Sequence, residues 1–401
     1  MTAPKLRLAG FKEPWSPKRL GATGRILQER TSDFARYPLY SLTIEKGVTK
    51  KTERYERGFL VSKTGDIFKI VHPGNFVTNP MNLRFGAVGY SKEEDDVSVS
   101  GYYDVFELDD NKCSPFWFNF LKREEMKKRY EDIATGSLIE KKRVHVNDLL
   151  NLELPIPELD ERKSVGEYLI SLDRLIDAEA LRLESFRRLK SSCLGKMFVQ
   201  GGEKCPRLRL GGFKGDWVTK VLGDCGTWNR GQPLSKSDLG RGRTPCIHYG
   251  ELFGYGMVIK CVNSATDVVP VETSKGGELL FPDSDVTPLG LARCSALMVK
   301  GVLIGGGINI LTPKAGFDAE CLSYAINVER RQIIMRVTGT TVRHINSGRL
   351  SEITIHVPPS VEEQKAIGEV FFAIESIINM QAMRVQRLKN FKLACMERMF
   401  V

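Results

Sequence analysis

Residues 4–15 read PKLRLAGFKEPW and residues 206–217 read PRLRLGGFKGDW, eight of twelve positions being identical at an offset of 202. This internal repeat constrains the fold more than any bulk property, because each copy must build the same supersecondary unit. The copies also match at their ends. Leu20-Gly21 recurs as Leu222-Gly223, and Thr135-Gly136 as Thr338-Gly339. Leu152, Leu154, Ile156 and Pro157 recur as Ile353, Ile355, Val357 and Pro358, and Met197-Phe198-Val199 as Met399-Phe400-Val401. The interiors differ almost completely. One frame around two unrelated interiors suggests one scaffold with two specificities, where drift after duplication would not spare the frame so selectively.

Each copy closes with an alternating apolar segment and a proline, LELPIP and ITIHVPP, the pattern of a final short strand. A long helical pattern follows. Ser360 and Glu363 have the spacing of a capping box, and Asp160 is the cap candidate in the first copy. The first helix carries Val165, Leu169, Leu172, Ile176, Glu179, Leu183, Phe186, Lys190, Cys193 and Met197 at alternating steps of four and three. The second repeats it as Ile367, Phe371, Ile374, Ile378, Gln381, Val385, Leu388, Lys392, Cys395 and Met399. This is the spacing of a coiled-coil seam. Helices of about 40 residues are about 60 Å long and outrun any small domain. Antiparallel pairing would let the two stripes bury each other. One register sets Glu179 opposite Lys392 and Gln381 opposite Lys190; the alternative is that these polar breaks face water.

The interiors read as mixed strand, loop and helix. GDIFKIV and VSVSGYYDVFEL are strand-like. SPFWFNFLKREEMKKRYEDIATG predicts a helix ending at Gly136, and AECLSYAINVERRQIIMRVTG its counterpart ending at Gly339. Gly305-Gly306-Gly307 marks a turn or a close backbone approach.

With 401 residues the chain has room for two or three domains, and 42% hydrophobic content argues against disorder. The formal charge of +10 suits a polyanionic partner without identifying one. Nine scattered cysteines without a CxxC pair fit reduced thiols in a cytoplasmic protein. The N-terminus has no apolar stretch of signal-peptide type, and the apolar run from Val302 to Leu311 is too short to span a bilayer, so no membrane role is expected.

Catalytic patterns are missing. The run from Gly301 to Gly307 lacks the Lys-Ser/Thr of a phosphate-cradling loop. Asn79-Pro80-Met81-Asn82 lacks the second proline and the aromatic of an amino-methylating tetrad, and the glycine spacing of Phe85-Gly86-Ala87-Val88-Gly89 is wrong for an S-adenosylmethionine loop. The histidines at 72, 145, 248, 344 and 356 show no metal-ligand spacing. Neither a catalytic residue nor a metal site is expected.

Basic residues cluster in loop-like runs with polar and aromatic neighbours. Lys50, Lys51, Arg54, Tyr55 and Arg57 lie in the first interior. Arg230, Gln232, Lys236, Arg241, Arg243, His248 and Tyr249 lie in the second. Lys141, Lys142 and Arg143 follow the first Thr-Gly turn; Arg343, His344 and Asn346 follow the second. Arg can bind guanine bidentately and Asn or Gln can bind adenine, whereas Lys more often contacts phosphate. Taken singly, each of these side chains fits a solvated face as well.

LRLxGFxxxW followed by LG, the Thr-Gly turn, the strand running into IPxPxLxER or VPPSVEEQKAI, and the helix ending in KMFV or RMFV together resemble the specificity (S) subunit of type I restriction-modification systems. GQPLSKSDL with TPCIHYGEL resembles the opening of a target recognition domain of that family. The resemblance covers both halves and departs at Arg162-Lys163, where the second half has Gln364-Lys365. It implies an α+β fold with an internal pseudo-twofold repeat: two mixed α/β target recognition domains, 1–157 and 201–358, joined by antiparallel helices, 158–200 and 359–401, that form a coiled coil. It implies double-stranded DNA as ligand, read as a bipartite site. It further implies two docked modification (M) subunits carrying S-adenosylmethionine, and restriction (R) subunits using ATP and Mg, with no cofactor in this chain. The coiled-coil seam would be Leu169, Leu172, Ile176, Leu183, Phe186, Phe371, Ile374, Ile378, Val385 and Leu388. A fused restriction or methylation enzyme, and a helical adaptor without DNA, are the competing readings.

Overall fold

The computed structural model describes residues 3–45, 47–50, 67–109, 111–138 and 142–401. The chain forms two compact units, Met1–Ala180 with Met383–Val401, and Leu181–Ala382. The helices that follow the two copies are therefore each divided between units.

The first unit begins with strands β1 (Ser16–Arg19), β2 (Gly24–Leu27), β3 (Arg30–Thr31), β4 (Tyr40–Thr43), β5 (Gly47–Lys50), β6 (Phe68–Val71), β7 (Phe76–Thr78), β8 (Val88–Tyr90), β9 (Val97–Ser100) and β10 (Asp104–Leu108). Helices α1 (Ser114–Leu121), α2 (Glu124–Ile133) and α3 (Val146–Leu150), strand β11 (Glu153–Ile156) and the long helix α4 (Leu159–Met197) follow. β2, β10, β7 and β8 make a four-stranded sheet, and β3, β6 and β9 a three-stranded one. The expected final strand is β11, paired antiparallel with β1 so that Pro155 lies opposite Pro17. Two prolines can face each other only at a position where no backbone bonds are exchanged.

The second unit contains β12 (Val218–Val221), β13 (Gly226–Arg230), β14 (Thr244–Ile247), β15 (Val258–Ile259), β16 (Ser264–Thr266), β17 (Glu278–Pro282) and β18 (Ser284–Asp285). It continues with α5 (Pro288–Leu291), β19 (Ser295–Leu297), β20 (Leu303–Ile304), β21 (Ile308–Pro313), α6 (Ala319–Val328), α7 (Arg330–Arg336), β22 (Arg343–His344), α8 (Ser347–Ser351), β23 (Thr354–Val357) and α9 (Val361–Met399). Its main sheet runs β13-β21-β17-β19-β15, and β12 pairs with β23 as β1 does with β11.

Three local expectations are corrected. The helix predicted up to Gly136 is two helices, because Arg123 takes an extended backbone (ψ 155°) and α2 stops at Ile133. α1 buries nearly its whole surface whereas α2 is polar, so the chain must turn where the burial ends; Arg123 stacks on Phe120 and reaches the Val401 carbonyl oxygen at 2.8 Å. The counterpart breaks at Glu329 into α6 and α7, with Gln332 bonded to both backbone groups of Thr354. VSVSGYYDVFEL divides into β9 and β10, which belong to different sheets.

The helix starts also differ from expectation. Asp160 lies inside the first turn of α4, which begins at Leu159. Ser360 does accept the Glu363 amide at 3.2 Å, but the Glu363 carboxylate does not complete a capping box. It takes a two-pronged ion pair from Arg209, at 2.7 and 2.8 Å. Arg7 holds Glu161 the same way in the first unit, at 2.7 Å on both prongs. Each repeat's LRL arginine is thereby locked to a buried carboxylate. The departure at residue 162 keeps its role: Arg162 bonds the Pro157 carbonyl as Gln364 bonds that of Pro358, and adds an ion pair with Asp109 at 2.8 Å.

α4 and α9 have 39 residues each, about 58 Å of helix. Every expected seam residue is buried or half-buried. In the first unit Val165, Leu169 and Leu172 share a core with Trp15, Phe116, Cys395, Met399 and Phe400. In the second, Ile367 and Phe371 share one with Met197, Phe198, Trp217 and Tyr324. Within each unit the segments of α4 and α9 run antiparallel. The polar register differs from both sequence alternatives. Lys392 pairs with Asp173 at 2.6 Å, Glu179 with Arg384 at 2.9 Å, and Lys190 with Glu375. The pairing is displaced by about one heptad from Glu179 opposite Lys392, because Phe400 and Met399 must reach the aromatic cluster around Trp15.

Replacing Arg7 by Met should lower the unfolding free energy by about 2 kcal/mol, less than the roughly 3–5 kcal/mol of a fully enclosed pair because Arg7 keeps an exposed edge. Denaturant unfolding of the purified chain measures this; no change would show the pair to be dispensable. Reversing Asp173 to Lys should lower the melting temperature, and adding Lys392→Asp should recover it.

Candidate nucleic-acid interface

Unit 2 gathers several of the sequence-selected residues around one cleft. β13 delivers Arg230 at its end, paired in register with Asn309 of the neighbouring strand. Asp283 directly follows β17; its amide donates to the Gly307 carbonyl and its carbonyl accepts from the Ile345 amide, both at 2.9 Å. β18 and β22 set Ser284 opposite His344, and His344 also exchanges backbone bonds with Thr338 at 2.8 and 3.0 Å. Asn346 caps α8, its side chain accepting from the Arg349 amide at 3.0 Å. A cleft of about 110 Å³ results, lined by Arg230, Asp283, Thr338, His344, Asn346 and Arg349 among others. The Arg230 side chain is 69% exposed and is tethered by one nitrogen to Asp283 at 3.0 Å. Arg349 donates to the Arg336 carbonyl oxygen at 3.0 Å. Two guanidinium groups and an imidazole against one carboxylate make this a concave site for an anion.

Other selected residues act differently. Gln232 clamps a loop: its carbonyl accepts from the Val271 amide at 2.6 Å and its amide donates to Glu272. Gly231 lies so close to the Gly305 carbonyl that a Cβ has no room, the close approach expected of the glycine run. His248 caps the following turn, accepting from the Gly250 amide at 3.1 Å. Tyr249 donates to the Ser284 carbonyl, and burial pushes its phenol pKa up. Arg343 donates to the Gly339 carbonyl. Lys236, Arg241 and Arg243 are exposed, and Gly240 and Gly242, which flank Arg241, have positive φ.

In unit 1, Lys50 is exposed at the end of β5. Lys142 bonds Glu131 at 2.6 Å and Arg84 bonds it at 2.7 Å, and together they hold that carboxyl below its usual range. Arg143 lies 5.8 Å from the Tyr102 ring and pairs through its backbone with Thr135, as His344 does with Thr338. Lys51, Arg54, Tyr55, Arg57 and Lys141 lie outside the described residues. Among the described residues no group of three His, Cys, Asp or Glu side chains gathers as metal ligands.

The sequence reading missed Thr338, Asp283 and Arg349. A signal existed for Arg349: Asn346 has the N-cap residue type, and one helical turn beyond it brings residue 349 back to the same side. Asp283 carries no such signal, because only the sheet order brings it to Arg230.

The model of the type I restriction modification DNA specificity domain matches twice, at residues 35–185 and 214–390. The chain belongs to this family. Two curated relatives come from Methanocaldococcus jannaschii. The MjaX specificity subunit of a type I restriction enzyme is 23% identical over 291 residues, 70% of this chain and 66% of the relative. The MjaVIII specificity subunit is 21% identical over 267 residues, 60% of each chain. The matches thus span 60–66% of the length of those relatives. The fold is similar to the type I S subunit from M. genitalium, with a TM-score of 0.64, 13% identity, and 100% and 99% of the two chains covered. A chain from a structure on assembly and conformational transition of a type I system matches with a TM-score of 0.54, 16% identity, and 98% and 99% covered. The family's fold accounts for the repeated frame and the mixed α and β elements within it.

Removing the Gln232 side chain by Gln232→Ala should speed hydrogen exchange at the Val271 and Glu272 amides, while that of the β13 amides stays slow. Unchanged exchange at both loop amides would show that the clamp does not order the loop.

Proposed function

We propose that this chain is the DNA-reading subunit of a type I restriction-modification complex, with recognition domains at 1–157 and 201–358 each reading one half of an asymmetric, interrupted DNA site. The observation that carries this is the doubled family match over interiors that share almost no sequence. α4 and α9 form the coiled coil that sets the unread spacer, related by a pseudo-twofold axis. Two recognition faces on a rigid spacer must meet the grooves of DNA at a fixed phase.

Two copies of one modification subunit dock on the repeated helical frame, and restriction subunits join through that complex. Exposed apolar residues recur at matching helix positions, which supports such docking: Leu175 with Ile377, Leu181 with Met383, and Leu189 with Phe391. A like pair of faces binds a like pair of partners. α9 also holds a window of mean hydropathy 1.2, of which 22% is buried, enough in length and composition for a membrane span. Its ion pairs with α4 favour a protein partner over lipid. The chain itself is non-catalytic and cytoplasmic; S-adenosylmethionine, ATP and Mg are used by the partners.

Co-expression with a modification subunit, followed by genome-wide mapping of modified adenines, should give a gapped two-part motif. Exchanging residues 23–133 for the interior of another family member should then alter one half of that motif. An ungapped motif, or one unchanged by the exchange, would overturn the proposal.

A further inference from the structure

We propose that the cleft between Arg230 and Arg349 is a clamp for a single backbone phosphate of the DNA that unit 2 reads; this rests on the DNA-reading role proposed above. Base edges are read by side chains that project into a groove. Here the polar groups converge on a hollow of about 110 Å³. A concave set of donors suits a compact acceptor whose oxygens point in several directions, as a phosphate's do.

The clamp is pinned from behind. The backbones of Asp283, Ile345 and His344 are bonded to Gly307, Asp283 and Thr338. Asp283 is the group least friendly to an anion, but its side chain is only 20% exposed and it meets Arg230 through Oδ2 at 3.0 Å. It uses one nitrogen of the fork and leaves the remaining donors of a largely exposed guanidinium open. Asp283 is therefore a positioning residue, and it lowers the positive charge of the cleft from two arginines to a net of about one, enough for one phosphate ester. Arg349 is fixed by its bond to the Arg336 carbonyl and by the Asn346 cap on its own amide.

A single shared phosphate has a distinctive signature. In the complex with modification subunits, binding to a cognate duplex is measured by titration across a range of salt concentrations. Arg230→Ala and Arg349→Ala should each lower the slope of log affinity against log salt by about 0.9, which weakens binding roughly eight-fold at 0.1 M salt. The double variant should lower the slope by no more than about 0.9 in total, because both side chains grip the same group. The sequence recognised should stay the same, with equal weakening on non-cognate duplexes. Arg349→Lys keeps the charge and should keep the slope, and it serves as the test if the alanine variant melts early.

Relaxed recognition at one base position would show a base contact instead and overturn the clamp. So would an additive loss of slope in the double variant, or an unchanged slope in both single variants. Failure of the underlying role is separable, since the unaltered complex would then show no gapped motif and no salt-dependent binding to DNA.

Discussion

The core of each unit is finished by residues from the closing motif of the other repeat. Phe400 packs edge-on to Trp15 at 6.4 Å, and Phe198 packs likewise on Trp217 at 5.8 Å. The tryptophan closes one repeat's opening motif, and the phenylalanine comes from the other repeat's closing motif. Each tryptophan is therefore buried in part by the other repeat. This exchange fixes where each helix must end, and the register of the helices follows from it. Apolar burial is worth about 25 cal/mol per Å², so two interlocking aromatic clusters outweigh any half-exposed ion pair in choosing the alignment.

The frame residues that survive in both copies do mechanical work that the structure makes explicit. The arginine of LRL grips a buried glutamate in the first turn of the long helix, Glu161 or Glu363, and so ties the opening of a repeat to the helix behind it. Residue 162 or 364 ties that same turn to the final strand. Leu20 and Leu222 are fully buried, and each donates its amide to the segment before the closing strand, at Leu152 and Ile353. The arginine pair and the leucine amide bond are made within the frame, whereas residue 162 or 364 also reaches the divergent interior, Arg162 at Asp109 and Gln364 at Gly316 and Asp318. The interior can therefore vary its more distant loops while the arginine and leucine contacts keep the opening of each repeat attached to its helix and final strand.

Period and repetition were legible from the sequence. Both final strands and the two long helices come from spacing alone, and the apolar stripe along each helix is buried or half-buried. The register of the polar layers was not legible, since Glu179 and Lys190 can be matched to partners only after the aromatic clusters are placed. The helix breaks at Arg123 and Glu329 were hidden because good helix formers flank both sites; burial of α1 and the reach of Gln332 to Thr354 decide them. In the candidate interface, residue type pointed equally to Arg230, Gln232, His248 and Tyr249. Only Arg230 keeps its polar end open, while the others hold turns and loops whose partners lie from two to about forty residues away.

Each ion pair between the long helices takes its acid from one repeat and its base from the other: Asp173 with Lys392, Glu375 with Lys190, Glu179 with Arg384. A change on one side must be answered some two hundred residues away. The helical segments are thus bound to change together, whereas the divergent interiors, which take no part in these pairs, are released from that constraint.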